Sequence, residues 1–179
     1  MTEIDVYKGQ PSAFWTFSLA VYGRAGVPPA CLTLQDSSGV DVNILLFSLF
    51  LGRSGRALSA TDIGAIVATV EPWRHDIVAV LRMARRALKE PPAPFEGPAI
   101  VLLRKNVKAA ELEAERIQQE ALCVNFPWDR AGQAEPDTAR ACAGNIEAYR
   151  AHLGTTFDEQ AAGVLLAAAA ATEIKGVSK

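Results

Sequence analysis

Apolar residues recur at helical spacing along most of this chain, and no stretch sustains the two-residue alternation and turn chemistry of a sheet. The pattern predicts an all-α fold, a compact bundle of about seven or eight helices around a central apolar helix at about residues 41–51. Ser12 is placed to cap a first helix to about Ala25, with Phe14, Phe17 and Val21 on one side and Trp15, Leu19 and Tyr22 on another. Gly26 ends it, and Pro28 and Pro29 open a second helix to about Asp36, because proline is tolerated only in a helix's first turn. Asp41 begins the central helix, in which Ile44 to Leu51 leave almost no polar face before Gly52. Ser59 and Asp62 have capping-box spacing for a short fourth helix.

Pro72 marks the start of a fifth helix that ends before Pro91. At 100° per residue Trp73, Ile77, Val80, Leu81, Ala84, Ala87 and Leu88 gather on one side, and Arg74, Arg82, Arg85, Arg86 and Lys89 on the next sector. That reads as one packing face beside a cationic stripe. PPAPFEGP at 91–98 cannot be helical and is expected to link helical halves, about 11–90 and 98–173, of a single domain spanning 1–179. In the sixth helix Leu103, Val107, Ala110, Ala114, Ile117 and Ala121 form an a/d seam, with Lys108–Glu111, Glu113–Arg116 and Arg116–Glu120 spaced to pair on the wet face. Pro136 and Asp137 open a seventh helix closed by Gly154, and Thr156 with Glu159 has capping-box spacing for an eighth.

Size and composition add constraints. Half of the 179 residues are hydrophobic, enough for a core without a metal or disulfide staple. Cys31, Cys123 and Cys142 form an odd set lacking zinc spacing, and are read as buried thiols of a reducing compartment. MTEIDVYKGQPSAF lacks the basic and apolar regions of a secretory signal, so the expected location is the cytoplasm. The longest apolar runs, Val42–Leu51 and Gly163–Ala171, are about half of the ~20 residues that a membrane span needs. A net charge of -2 gives the whole molecule no field to gather nucleic acid or anionic lipid.

Two zones carry candidate chemistry. In LQDSSGVDVN, Gln35, Asp36, Asp41 and Asn43 lie between strongly apolar helices. They read either as an oxygen-rich pocket, with Asp36 and Asp41 suited to magnesium, or as a capped turn in which Asp41 caps the central helix and Asp36 meets an arginine. An EF-hand is excluded, because counting from Asp36 the twelfth position is Phe47 where a bidentate glutamate belongs. The second zone is the stripe Arg74, Arg82, Arg85 and Arg86, with Trp73 as a stacking surface, which could hold phosphate or an acidic partner or could pair internally. His75 and His152 adjoin no nucleophile, and no nucleotide-binding, hydrolase-elbow or HExxH motif occurs. Phe126, Trp128 and Asp129 form either a partner hot spot or a loop packed over the core.

The string from Trp15 to Gly52, with its WxFxLxVY and LQDxxGxDVN motifs, and the later PWRHDIVAVLRMARRALK resemble a proteobacterial family of small conserved hypothetical proteins of uncharacterised function. The resemblance runs through AELEAERIQQEAL and implies a bacterial, cytoplasmic, helical protein, with no catalytic residues to carry over. Three functions compete. The first is a binding or adaptor module that uses the arginine face for an acidic protein or phosphorylated ligand. The second is a metal-assisted enzyme acting on a phosphate or diphosphate through Asp36, Asp41 and the arginines, though DDxxD motifs are absent. The third is a structural homodimer through the alanine seam of helix six or the C-terminal helix.

Overall fold

The structure of the chain, a computed structural model, describes residues 12–174; positions 1–11 of the segment read for a secretory signal lie outside the described residues. Among the described residues there are eight α-helices, α1 (Ala13–Tyr22), α2 (Val27–Ser38), α3 (Val42–Arg53), α4 (Ala60–Trp73), α5 (Ala79–Ala87), α6 (Pro98–Asn125), α7 (Thr138–Leu153) and α8 (Glu159–Ala170). The fold is all-α, and no helix among the described residues is long and apolar enough to cross a membrane.

Local chemistry sets the early helix boundaries. The Ser12 side chain accepts from Trp15 N at the start of α1. Gly39 closes α2 at φ 67°, a left-handed conformation that glycine adopts without steric cost. Asp41 caps α3 through Asn43 N and Ile44 N, and Ser59 with Asp62 completes the capping box of α4. At α8 the capping residue is Asp158, which accepts from Ala161 N, in place of the Thr156–Glu159 box expected from spacing.

Helix α3 is the centre of the molecule, with every residue from Asn43 to Gly52 buried. Phe14 and Phe17 of α1 meet Phe47 and Phe50 in an aromatic cluster with ring centroids 4.9–5.6 Å apart across the two helices. The most extensive helix pair is α3 with α7, and α2 with α8 is the next. Gly52 lies inside α3 instead of ending it, because α7 crosses against its Cα: a Cβ there would sit 2.8 Å from the backbone N and Cα of Cys142. Gly52→Ala is therefore expected to push α3 and α7 apart at a cost of about 2–3 kcal/mol, measurable as a lower urea midpoint with an unchanged slope. An unchanged midpoint would show that the two helices are not held at this separation.

Three departures from the expected elements have physical causes. Pro72 does not start a helix; α4 runs through it and continues by a π-helical turn, Arg74–Val78, into α5, making one rod from Ala60 to Ala87. Proline removes one hydrogen-bond donor, and a wider turn just downstream adjusts the backbone to that loss. In α6 the expected seam is only partly used: Leu103 and Ala110 are exposed, Val107, Ile117 and Ala121 are half-buried, Ala114 is buried, and the other buried positions are Glu111, Gln118, Gln119 and Leu122. A two-residue antiparallel ladder, Arg56–Ala57 with Gln133–Ala134, is too short to leave a periodic signature in the sequence. The Arg56 side chain secures the loop beside it by donating 2.6 Å hydrogen bonds to the carbonyls of Ala131 and Gly132.

The Pro-rich stretch joins α5 to α6, which runs back along it. Phe126 and Trp128 pack against the core, and Asp129 is exposed beside Arg130.

Candidate functional site

The acid/amide segment and the arginine helix come together. The Asp41 carboxylate is spent on structure: Oδ1 accepts from Asn43 N and Ile44 N, and Oδ2 accepts from Gln118 Nε2 at 2.7 Å. Its backbone N–H donates to Tyr149 Oη at 3.0 Å. Asn43 joins α3 to α6, because its Oδ1 accepts from Gln119 Nε2 at 2.8 Å and its Nδ2 donates to Gln118 Oε1 at 3.4 Å. Asp36 lies on the surface, 3.4 Å from Arg86, with both side chains more than half exposed.

Above this polar seam a groove of about 400 Å³ opens between α1, α2, α3, α5 and α6. Trp15, Leu19 and Tyr22 of α1, Cys31 and Leu32 of α2, and Val42 and Leu46 of α3 form its mainly apolar walls. Arg82, Arg85 and Arg86 close one side, at spacings that share a helix face. Lys108, Glu111, Leu112, Glu115 and Gln119 of α6 close the other. Gln35, Asn43, Arg82, Arg85 and Arg86 are thus brought to one site, while Trp73, Arg74, Asp36 and Asp41 are not among its walls. Trp73 Nε1 donates to the Ala114 carbonyl, tying α4 to α6, and Arg74 donates both its hydrogen bonds to Glu71.

The arginines do not form a bare stripe. Glu111, which is buried, accepts from Arg82 at 3.1 Å and from Arg85, while Glu115 accepts from Arg82 at 2.7 Å. On α5 Arg82 and Arg85 turn inward to these carboxylates while Arg86 stays exposed, and Val80 and Met83 are 48% and 66% exposed. Buried charge tolerates only such paired arrangements, whereas exposed aliphatic side chains cost little.

The two glutamates sit in different balances. Burial raises the Glu111 carboxyl, but hydrogen bonds from Arg85 and Arg82 outweigh it and hold the group below the usual glutamate range. For Glu115 burial prevails over Arg82, and its carboxyl is pushed above that range. Burial also raises Cys31, at the base of the groove, to about 11, which keeps the thiol protonated and a weak nucleophile. Among the described residues no group of three or more His, Cys, Asp or Glu side chains is placed to hold a metal ion.

Two residues that line the groove each carry a buried polar atom without a partner. Ser18 Oγ and Gln119 Oε1 are buried, on residues 3% and 4% exposed, and neither makes a hydrogen bond within the protein. Since Gln119 Nε2 is fixed by Asn43 Oδ1, its carbonyl oxygen is left as an unused acceptor. Sequence reasoning missed Ser18, Lys108, Glu111, Glu115 and Gln119. A signal for two of them was present: Glu111 and Glu115 stand one helical turn apart, as Arg82 and Arg85 do, so two faces of opposite charge are joined by a short turn and can meet across a helical hairpin.

Fold and site together define an all-helical protein with an apolar-walled groove closed by interhelical arginine–glutamate pairs. The chain belongs to the family described as "Protein of unknown function (DUF2390)", whose model matches residues 13–122. Every residue lining the groove falls within that span, and α7 and α8 fall outside it. No curated protein and no solved structure matches the chain.

Proposed function

We propose that this protein binds a small molecule with an apolar body in the groove between α1, α2, α3, α5 and α6. The observation that carries the reading is a mainly apolar cavity of about 400 Å³ whose lining residues include Ser18 and Gln119, each with a buried polar atom that no protein group satisfies. Leaving a buried polar atom unpaired costs about 1–3 kcal/mol, and both such atoms belong to residues of this one cavity. The volume falls in the roughly 300–1,000 Å³ range of small-molecule sites, and a mostly apolar wall with a few polar groups is their usual composition.

This reading changes the means and keeps the class, a binding protein. A partner gripped by a free arginine face is disfavoured by the engagement of Arg82 and Arg85 with Glu111 and Glu115. Magnesium held by Asp36 and Asp41 is disfavoured by their employment at Arg86 and at the cap of α3. We place the protein in the cytoplasm, a reading supported by three unpaired thiols that are buried or half-buried.

The neutral fluorophore N-phenyl-1-naphthylamine tests the reading. Its emission is expected to rise on mixing with the full chain, and Leu32→Trp, which fills the groove from a half-exposed wall position, is expected to abolish the rise with circular dichroism unchanged. Equal emission from wild type and variant would place the apolar site elsewhere and overturn the proposal.

A further inference from the structure

The groove's charges are unevenly matched. Four cations line it, Arg82, Arg85, Arg86 and Lys108, against two carboxylates, Glu111 and Glu115, both of which are committed to Arg82 and Arg85. Lys108 makes no ion pair among the described residues, and Arg86 meets only the half-exposed Asp36 at 3.4 Å. Such an exposed, long contact adds little and exchanges readily for another anion.

The surroundings reinforce the imbalance. From residue 79 to 110, which takes in α5, the Pro-rich turn and the first half of α6, there are seven basic and two acidic side chains, although the whole chain carries -2. The first acidic residue of α6 is Glu111, and it faces the arginines. The groove therefore opens beside a local positive field on an otherwise acidic protein, and cations beside a low-dielectric wall attract an anion more strongly than the same cations on an open surface.

We infer that the groove's ligand is an amphipathic anion, a molecule whose single acidic group sits between Lys108 and Arg86 at the mouth while its hydrocarbon body lies against Leu19, Leu32 and Leu46. This assignment rests on the groove being a binding site and adds the charge of what it takes. Lys108 shares a face of α6 with Leu112, Glu115 and Gln119, at spacings of four, seven and eleven residues, so a body passing Leu112 brings its head group to the lysine. Arg86 supplies a second, forked donor from the opposite wall. A cationic amphiphile would meet the same field with the wrong sign.

Isothermal titration calorimetry of the full chain with octanoate, octan-1-ol and octylammonium at equal ionic strength tests the assignment. Octanoate is expected to bind at least tenfold more tightly than octan-1-ol, and octylammonium not to bind. Lys108→Glu is expected to lower octanoate affinity at least tenfold with the thermal midpoint unchanged, and added salt to weaken octanoate more than octan-1-ol. Equal affinities for the three amphiphiles, with binding blocked by Leu32→Trp, would overturn the anion assignment and leave the groove a binding site. Octanoate that binds Lys108→Glu as well as wild type would also overturn it. If none of the amphiphiles binds while N-phenyl-1-naphthylamine does, the anion assignment falls alone, and if the fluorophore also fails, the groove reading falls with it.

Discussion

Glu111→Gln is expected to lower stability by about 3 kcal/mol, because it leaves two inward-facing guanidinium groups sharing one neutral amide in place of a buried carboxylate. For a chain of this size that is a fall of roughly 6–12 °C in Tm. Glu115→Gln, four residues further along the same helix, is expected to change stability by less than about 1 kcal/mol, since the amide still accepts from Arg82 and burial no longer opposes a charge. The pH dependences should differ in sign. The carboxyl of Glu111 is held below its ordinary value in the folded chain, so the stability it contributes is present above the usual glutamate range and is lost as pH falls through the folded value. The carboxyl of Glu115 is raised, so its contribution is present at and below the usual range and is lost as pH climbs through the folded value. Thermal midpoints of wild type and both variants between pH 3 and pH 8 give the comparison directly. Equal losses in the two variants at pH 7 would show that the pairing of Glu111 with both arginines is misassigned.

A second large effect is expected at Asn145, which is fully buried on α7. Its Oδ1 accepts from Leu58 N at 2.7 Å, and its two Nδ2 hydrogens go to the carbonyls of Ser48 at 2.9 Å and Arg56 at 3.0 Å. One side chain thereby satisfies three backbone groups at the point where α3 gives way to the short ladder and then to α4. Asn145→Ala removes all three bonds and opens a space too confined for easy relaxation, at a cost of about 3–4 kcal/mol. Asn145→Asp separates shape from hydrogen bonding: it keeps the volume, yet it cannot donate to either carbonyl, and it too is expected to lose at least about 3 kcal/mol. Urea unfolding of both variants measures this, and a mild Asp variant beside a severe Ala variant would make the residue a space-filler instead of a junction.

Local rules made much of the fold readable. Ser12, Asp41, Ser59 with Asp62, Asp137 and Gly154 stand at the boundaries where capping chemistry puts them. The unbroken apolar run after Asp41 identified the central helix, because only full burial suits such a surface. The site was legible in part. Gln35, Asn43, Arg82, Arg85 and Arg86 do line one groove, whereas Asp41 and Trp73 turned out to hold helices together and Arg74 pairs with Glu71 one turn back along its own rod. Long-range pairing limited the rest. Helical spacing suits Lys108 to Glu111, yet Glu111 is claimed by two arginines from another helix, and no rule local to α6 could announce that. Asn145 was invisible for the same reason, since an isolated asparagine in a helix gives no hint of the three carbonyl and amide groups that await it elsewhere in the chain.

The π turn at Arg74–Val78 acts as a phase shifter. One extra residue in a helical rod rotates everything downstream by about 100° about the axis. Trp73, before the turn, reaches the carbonyl of Ala114, and Arg82 and Arg85, after it, still reach Glu111 on that same neighbouring helix. With ordinary winding throughout, no single straight face would contain both anchors. The side of the groove formed by α5 therefore owes its aim to a winding error placed two residues beyond a proline, and shortening that turn by one residue would swing the guanidinium groups off their carboxylates without altering a residue that lines the cavity.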